Sequence, residues 1–217
     1  MKSIDAVILD MDGTLHDTEW AYHTALRRAV GAVGFAVSDG FVHSLIGIPG
    51  KESDRMLREH LGPGFPFDEY DRLYDEYCEA LLAEGIRLKP GVAELLDHLE
   101  AGAVPAAIAT SASRRAATRH LARSGLAARL AVVVTRDDVV QGKPHPEVFL
   151  KAASLLGAVP ERCLAVEDSF NGIRAAHAAG MMAVMVPDVL TPTPEIRALC
   201  LAVAADLHAV RSLIGGD

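Results

Sequence analysis

Short apolar runs alternate with helical patterns along most of the chain. The first run, Ala6-Val7-Ile8-Leu9, is too short for a helix and favours a strand buried on both faces. Similar runs lie at 104–109, 130–134, 163–166 and 183–186, with a weaker one at 199–203. Helical patterns separate them at 92–101, 112–124, 146–156 and 171–179. This alternation predicts an α/β fold with a Rossmann-like, doubly wound, mostly parallel sheet.

The glycines that follow these helical patterns predict where the helices end. Gly102, Gly125, Gly157 and Gly180 each stand just after a predicted helix. Glycine adopts the left-handed conformation at little cost, so we expect a left-handed cap at each of the four positions.

The stretch 16–87 interrupts the alternation. It contains helical segments at 19–33, 39–45, 51–59 and 68–83 and no convincing buried strand. Pro49-Gly50 and Gly62-Pro63-Gly64 punctuate it, and Lys89-Pro90-Gly91 precedes the return of the alternation. The pattern predicts a core made of 1–15 and 88–217, with an inserted α-helical domain at 16–87.

Composition narrows the class of protein. The net charge of −8 argues against a nucleic-acid partner, because a phosphate backbone attracts basic surfaces. The three cysteines are widely spaced and lack a CxxC pair, which indicates a reducing compartment with ordinary buried thiols. The nine histidines show neither HxH nor HExxH spacing, so the sequence predicts no zinc site.

Targeting and membrane signals are not evident in the sequence. Asp5 precedes any apolar run that could serve as a signal peptide, and no apolar stretch approaches the ~20 residues of a membrane helix. We therefore expect a cytoplasmic protein with no membrane partner.

Polar residues follow the predicted strands at the edge where doubly wound sheets bind ligands. They are two acidic pairs, two hydroxyl residues and one loop lysine: Asp10 and Asp12, Glu167 and Asp168, Thr110 and Ser111, and Lys143. Carboxylates suit a hard cation such as Mg²⁺, whereas hydroxyls and an ammonium group suit phosphate oxygens. The set predicts a magnesium and phosphate site.

Four ordered motifs resemble those of the haloacid dehalogenase superfamily, subclass I, in the β-phosphoglucomutase and sugar-phosphatase branch. They are Asp10-Met11-Asp12-Gly13-Thr14-Leu15-His16-Asp17, Thr110-Ser111, Gly142-Lys143-Pro144-His145-Pro146-Glu147 and Glu167-Asp168-Ser169-Phe170-Asn171-Gly172. The resemblance spans nearly the whole chain and implies a phosphatase with a helical cap over its active site.

The resemblance also implies a role for each motif residue. Asp10 would attack phosphorus and form an aspartyl-phosphate, while Asp12 would act as general acid and base. Lys143 would neutralise the phosphoryl group and hold Asp10, and Thr110 or Ser111 would bind a phosphoryl oxygen. Asp10, the backbone carbonyl of Asp12, and Asp168, with Glu167 directly or through water, would hold Mg²⁺.

The resemblance implies a small phosphorylated sugar or polyol as substrate, because a cap disfavours large ones, and a monomeric enzyme. A sugar phosphate mutase is the alternative within the family. Mutase relatives carry His after the first motif and Arg in a cap loop, whereas this chain has Tyr22, a displaced His23 and the loop Gly47–Lys51 without Arg. Lys51 is the one candidate to replace that Arg.

Plainer explanations stand beside the catalytic ones. Thr110, Ser111 and Ser169 also suit backbone caps, and Trp20, Tyr22 and His23 also suit the core of the insert. A module that binds phosphate without catalysis is the alternative of another class, although every expected carboxylate is present.

Overall fold

The structure, a computed structural model, describes residues 4–46, 48 and 50–215, with only the backbone of Lys51. The chain divides into two compact units, one of residues 1–17 and 87–217 and the other of Thr18–Ile86. The assignment of 16–87 as a cap over the active site stays a prediction.

The described residues of the first unit form six strands, which make one sheet with every pairing parallel. The strands are β1 (Ala6–Leu9), β2 (Ala106–Ala109), β3 (Val132–Val134), β4 (Cys163–Glu167), β5 (Met182–Met185) and β6 (Ala202–Val203). Their order is β3-β2-β1-β4-β5-β6, so the chain changes direction across the sheet between β1 and β4. This is the predicted Rossmann-like arrangement.

Helices cover both faces of the sheet. The helices are α5 (Val92–Ala101), α6 (Arg114–Ser124), α7 (Glu147–Leu156), α8 (Phe170–Ala178), α9 (Pro194–Leu199) and α10 (Leu207–Gly215). Alternate residues of β1 enter opposite cores: Val7 and Leu9 pack with α5, α6 and α10, whereas Ala6 and Ile8 pack with α7, α8 and α9. A strand with two buried faces has no polar position, which explains the continuous apolar run.

The second unit is helical in its described part. It contains α1 (Glu19–Ala32), α2 (Asp39–Ser44), α3 (Gly50–Leu61) and α4 (Phe67–Leu81). Aromatic rings form much of its core, where Phe65 contacts Phe35, Phe67 and Tyr70 at centroid distances of 5.2–6.2 Å.

Three of the four predicted glycine caps are confirmed and one is wrong. Gly125, Gly157 and Gly180 have positive φ angles, whereas Gly102 has φ −83°. The left-handed residue after α5 is Ala103, with φ 51°, because Val104 N–H reaches back to the carbonyl of Leu99 and sets the reversal one residue later. The weak strand predicted at 199–203 is also shorter, since α9 occupies the chain up to Leu199.

Two further properties concern cysteines and membranes. Cys163 is buried, but Cys78 and Cys200 are only half-buried; all three are free thiols. Among the residues the structure describes, no helix combines the length and apolar character needed to cross a bilayer.

Candidate active site

Asp10 and Glu167 lie side by side because β1 and β4 are neighbours. Leu9 pairs with Val166, and Asp10 N–H donates to the carbonyl of Val166 at 2.9 Å. Both carboxylates therefore leave the carboxyl edge of the sheet at the point where the strand order reverses, which is where such sheets bind ligands.

Lys143 links these carboxylates through a single ammonium group. Its Nζ donates to Asp10 Oδ1 and Glu167 Oε1, each at 2.5 Å, and to the carbonyl of Ala109 at 2.9 Å. Asp10, Glu167 and Lys143 are all buried, so water screens these contacts weakly. Three strands, β1, β2 and β4, thus hold one cation.

Burial and local charge shift the pKa values of this cluster. Burial raises the pKa of Asp10 to about 8, with a smaller rise from Glu167 and an opposing effect of Lys143. Burial alone would lower the pKa of Lys143, but Asp10 and Glu167 raise it above its usual range. Lys143 is therefore charged at neutral pH, and one ammonium group faces more than one buried carboxylate. A second cation would favour ionised Asp10.

Both oxygens of Glu167 already accept hydrogen bonds. Oε1 accepts from Lys143, while Oε2 accepts from the backbone N–H and the hydroxyl of Ser169 at 2.8 and 2.9 Å. Ser169 Oγ in turn accepts from Gly172 N–H at 3.0 Å and caps α8. Glu167 therefore connects Lys143 to the start of α8, and its predicted contact with a metal fits better through water than directly.

Gly172 makes room for the carboxylate of Glu167. A Cβ atom at this position would lie 1.7 Å from Oε1 and 2.3 Å from Oε2 of Glu167. The glycine of the fourth motif is thus required by the close approach of the carboxylate to the first turn of α8.

Gly13 has the same function on the opposite side of the site. Its φ angle is +83°, and a Cβ atom there would lie 2.4 Å from Asp168 Oδ2. Thr14 Oγ1 donates to Asp168 Oδ1 at 3.3 Å. The loop after β1 therefore approaches Asp168 closely enough to orient its carboxylate.

Asp10, Glu167 and Asp168 form a cluster that could hold a cation. One oxygen from each lies within 4.8 Å of the others. The ligands are oxygen only, which suits Mg²⁺ or Ca²⁺ and not a metal that prefers nitrogen or sulfur. Three of the predicted ligand side chains, one after β1 and two at the end of β4, thus lie together.

The loop that carries Lys143 is fixed at both ends. Thr135 and Asp138 form a reciprocal capping box after β3. The carboxylate of Glu147, at the start of α7, accepts from the backbone N–H groups of Val140 and Gln141, both at 2.9 Å. These contacts position a lysine that lies on no helix or strand.

Asp12 has neighbours that the sequence motifs do not indicate. Its Oδ1 lies 3.3 Å from Nδ1 of His120, and the ring of His120 stands edge to face with that of His16 at a centroid distance of 6.2 Å. Burial lowers the pKa of His16 to about 4, although Asp12 opposes this. Only the tertiary structure brings His120, on α6, beside the first motif.

Thr110 and Ser111 differ in burial. Thr110 is buried, and its Oγ1 accepts from the backbone N–H of Ala112 at 3.0 Å, as the capping alternative predicted. Ser111 is exposed. Lys143 contacts the carbonyl of Ala109 directly before Thr110, which places Thr110 near the cluster. The phosphate-binding role of both hydroxyls stays a prediction.

Comparison with known protein families identifies the chain. The sequence model of the haloacid dehalogenase-like hydrolases matches residues 4–180. The chain belongs to this family. The match includes all four motifs, the second unit and most of the first unit. It ends before β5, so β5, β6, α9 and α10 lie outside it.

Several relatives of this haloacid dehalogenase-like hydrolase carry phosphatase names. The chain is 34% identical to a phosphorylated carbohydrates phosphatase from Thermotoga maritima, over 82% of each chain. It is 34% identical to hexitol phosphatase A from Escherichia coli, over 95% of this chain and 91% of the relative. A structure of mutant CbbY from Rhodobacter sphaeroides with xylulose-(1,5)bisphosphate is similar, with a TM-score of 0.82, 28% identity, and coverage of 94% and 95%.

The positions at which the sequence was set against mutase relatives lie in the second unit. Tyr22 and His23, together with Glu19, line a cavity of about 220 Å³ within that unit. Trp20 is 45% exposed, so its side chain is not core. Gly47, Pro49 and the side chain of Lys51, which belong to the loop that lacks the Arg of mutase relatives, lie outside the described residues.

Proposed function

We propose that this hydrolase is a Mg²⁺-dependent phosphatase that acts on a small phosphorylated sugar or polyol through an aspartyl-phosphate at Asp10. The observation that carries the proposal is the buried Asp10 carboxylate, which Lys143 contacts at 2.5 Å beside two further carboxylates. A carboxylate with one bound cation and room for a second can stay ionised while it approaches an anionic phosphate.

Asp10 is the proposed nucleophile because it is fixed on three sides. Its backbone is bonded to β4, its Oδ1 accepts from Lys143, and its side chain is buried at the switch point of the sheet. Oδ2 is the oxygen that Lys143 does not contact, and we assign the attack on phosphorus to it. Attack there breaks the bond from phosphorus to the leaving oxygen and forms the acyl phosphate, which water then hydrolyses.

Lys143 is the proposed charge stabiliser. Its ammonium group is held by Ala109 and Glu167 as well as by Asp10, so it stays in place when Asp10 is esterified. A fixed positive charge beside the transferred group stabilises the negative charge of its equatorial oxygens.

Asp10, Asp168 and Glu167, the last through water, would hold Mg²⁺, with the backbone carbonyl of Asp12 as a further ligand. Bound there, Mg²⁺ supplies positive charge beside the nucleophile and the phosphoryl oxygens. The fit rests on the oxygen-only donor set and on Gly13, which brings the first loop against Asp168.

Asp12 is the proposed general acid and base. Its carboxylate is 19% exposed, so it can exchange protons with the leaving alkoxide and later with the attacking water. The substrate class is proposed from the relatives that act on phosphorylated carbohydrates and hexitols. The cavity of the second unit, with Tyr22 and His23 among apolar side chains, is the proposed region of substrate selection.

Hydrolysis of p-nitrophenyl phosphate with Mg²⁺, followed by a panel of sugar and polyol phosphates, tests this function. We expect turnover that EDTA stops and Mg²⁺ restores. The unmodified protein, quenched in acid during turnover, should yield a phosphorylated peptide that contains residue 10. Asp10→Asn should abolish both turnover and this phosphopeptide, whereas the control Asp97→Asn, at an exposed position, should leave both unchanged. Activity in Asp10→Asn would refute the nucleophile, and indifference to EDTA would refute the metal.

The mutase alternative has a separate readout. Incubation with β-glucose 1-phosphate and its bisphosphate should release inorganic phosphate if the chain is a phosphatase. Formation of glucose 6-phosphate faster than release of phosphate would establish the mutase instead.

A further inference from the structure

A second group of metal-ligating side chains lies beside the proposed active site. One oxygen of Asp12 and one ring nitrogen each of His16 and His120 lie within 4.8 Å of one another. Both imidazoles are buried, but the carboxylate of Asp12 is 19% exposed. Asp12 is therefore the member of the group that solvent contacts.

The hydrogen bonds around His16 determine which ring nitrogen carries a lone pair. Ser124 Oγ lies 2.9 Å from Nε2 of His16, and the same hydroxyl donates to the carbonyl oxygen of Leu121 at 3.3 Å. A hydroxyl has one hydrogen, so both contacts form at once only when Oγ accepts from Nε2–H, and this tautomer leaves Nδ1 of His16 unprotonated.

The lone pair of His16 Nδ1 has no donor. This atom is buried and without a hydrogen-bond partner among the residues the structure describes. A buried acceptor without a donor is destabilising, and a bound cation would satisfy its lone pair. Histidines that bind metals commonly show the same arrangement, in which one nitrogen donates to a neighbouring group and the other faces the ion.

We propose that Asp12, His16 and His120 form a second metal site, which binds a divalent cation with a preference for imidazole, such as Zn²⁺. Ligands about 2.0–2.1 Å from a tetrahedral ion lie about 3.3 Å apart. The 3.3 Å between Asp12 Oδ1 and His120 Nδ1 already has this value. One oxygen of Asp12 and one nitrogen of each ring lie within 4.8 Å of one another, so any longer separation among them would shorten by about 1.5 Å at most.

The two clusters should sort metals by ligand type. Asp10, Glu167 and Asp168 offer oxygen only, which suits Mg²⁺, whereas the second site offers two nitrogens and one oxygen. Zn²⁺ at the second site would also occupy the carboxylate of Asp12. We therefore expect Zn²⁺ to inhibit the phosphatase at saturating Mg²⁺; this consequence rests on the proposed function, but the binding itself does not.

Titration with Co²⁺ in saturating Mg²⁺ tests the site without any measurement of activity. Co²⁺ serves as a probe because Zn²⁺ has no visible spectrum. Co²⁺ that is four-coordinate with nitrogen and oxygen ligands absorbs intensely in the visible range. We expect one Co²⁺ per tag-free chain with such a spectrum, displaced by Zn²⁺. The variants His120→Gln and His16→Gln should each lose it, while circular dichroism confirms that they are folded.

Two control variants separate this site from others. Asp168 belongs to the oxygen cluster and not to the second group, and His177 is an exposed histidine of α8, so the controls are Asp168→Asn and His177→Ala. Both should keep the Co²⁺ spectrum. The proposal would be overturned if the Co²⁺ spectrum were unchanged in His120→Gln or lost in Asp168→Asn. It would also be overturned if the unmodified protein gave only the weak absorption of six-coordinate Co²⁺. Should His16→Gln fail to fold, His120→Gln alone decides. Absence of phosphatase activity would refute the proposed function but leave this binding result intact.

Discussion

Replacement of Gly172 by alanine should destabilise the protein, although the same change in most helices stabilises it. Gly172 is the third residue of α8, where alanine has a helix propensity about 1 kcal/mol better than glycine. The added methyl group would lie 1.7 Å from Glu167 Oε1, whereas ordinary contacts begin at 3.4 Å. The carboxylate must therefore move by roughly 1.5 Å or more.

The cost follows from the contacts that this movement breaks. Glu167 would lose the 2.5 Å bond from Lys143 and the two bonds from Ser169, at 2.8 and 2.9 Å, all in a buried environment. Hydrogen bonds to charged groups contribute about 1.5–3 kcal/mol each, and breaking a buried ion pair costs about 3–5 kcal/mol. Lys143 keeps Asp10, so we expect a net loss of about 2–4 kcal/mol after the gain in propensity.

Urea unfolding followed by circular dichroism measures the effect. The matched control is Gly31→Ala in α1, where a methyl group meets nothing within 4 Å, so this variant should gain up to about 1 kcal/mol. Turnover of Gly172→Ala should also fall about 100-fold, since Lys143 loses its contact with Glu167 and is held less accurately beside the phosphoryl group. If Gly172→Ala were as stable as Gly31→Ala, the close approach of Glu167 would be refuted.

Three further predictions address single groups. Lys143→Arg keeps the positive charge, but no nitrogen of arginine carries the three donors that Lys143 Nζ uses. Turnover in steady-state assays should therefore fall at least about 100-fold. The control Lys151→Arg, at an exposed position, should have little effect. Burial, with smaller effects of nearby acids, raises the pKa of Cys78 to about 12. At pH 8 the thiolate of Cys78 should therefore be about a thousandfold less populated in the folded protein than in urea. Equal rates of alkylation of the Cys78 peptide in both states would contradict this. Ala103→Gly should gain up to about 1 kcal/mol by removing a left-handed alanine, and the reciprocal Gly157→Ala should lose a similar amount in the same urea assay.

The sequence predicted the elements that depend on local pattern. The buried strands appear as uninterrupted apolar runs, and their polar ends carry the motif residues, because position along a strand decides both features. The error at Gly102 has a local cause as well: α5 ends at Ala101 as predicted, but the hydrogen bond from Val104 N–H to the carbonyl of Leu99 places the left-handed residue at 103, and residue type does not reveal this.

The contacts that depend on tertiary structure could not be predicted. His16 and His120 are far apart in the chain, so a search for short histidine spacings missed them. Likewise, the sequence shows Gly172 only as part of a motif. The structure shows why a glycine is needed there, because the carboxylate of Glu167 occupies the space of a Cβ atom. Elements without strong signals, such as α9 and α10, were also missed in the sequence.

The division of the chain has a consequence for its evolution. Every group with a proposed chemical task comes from the first unit, while Thr18–Ile86 is one uninterrupted segment inserted between β1 and α5. Mutations that remodel the inserted segment leave the reacting carboxylates and their lysine untouched. With substrate selection in that segment, as proposed, a lineage can diversify its choice of metabolite by exchange or mutation of that segment alone and inherit the proposed catalytic groups unchanged.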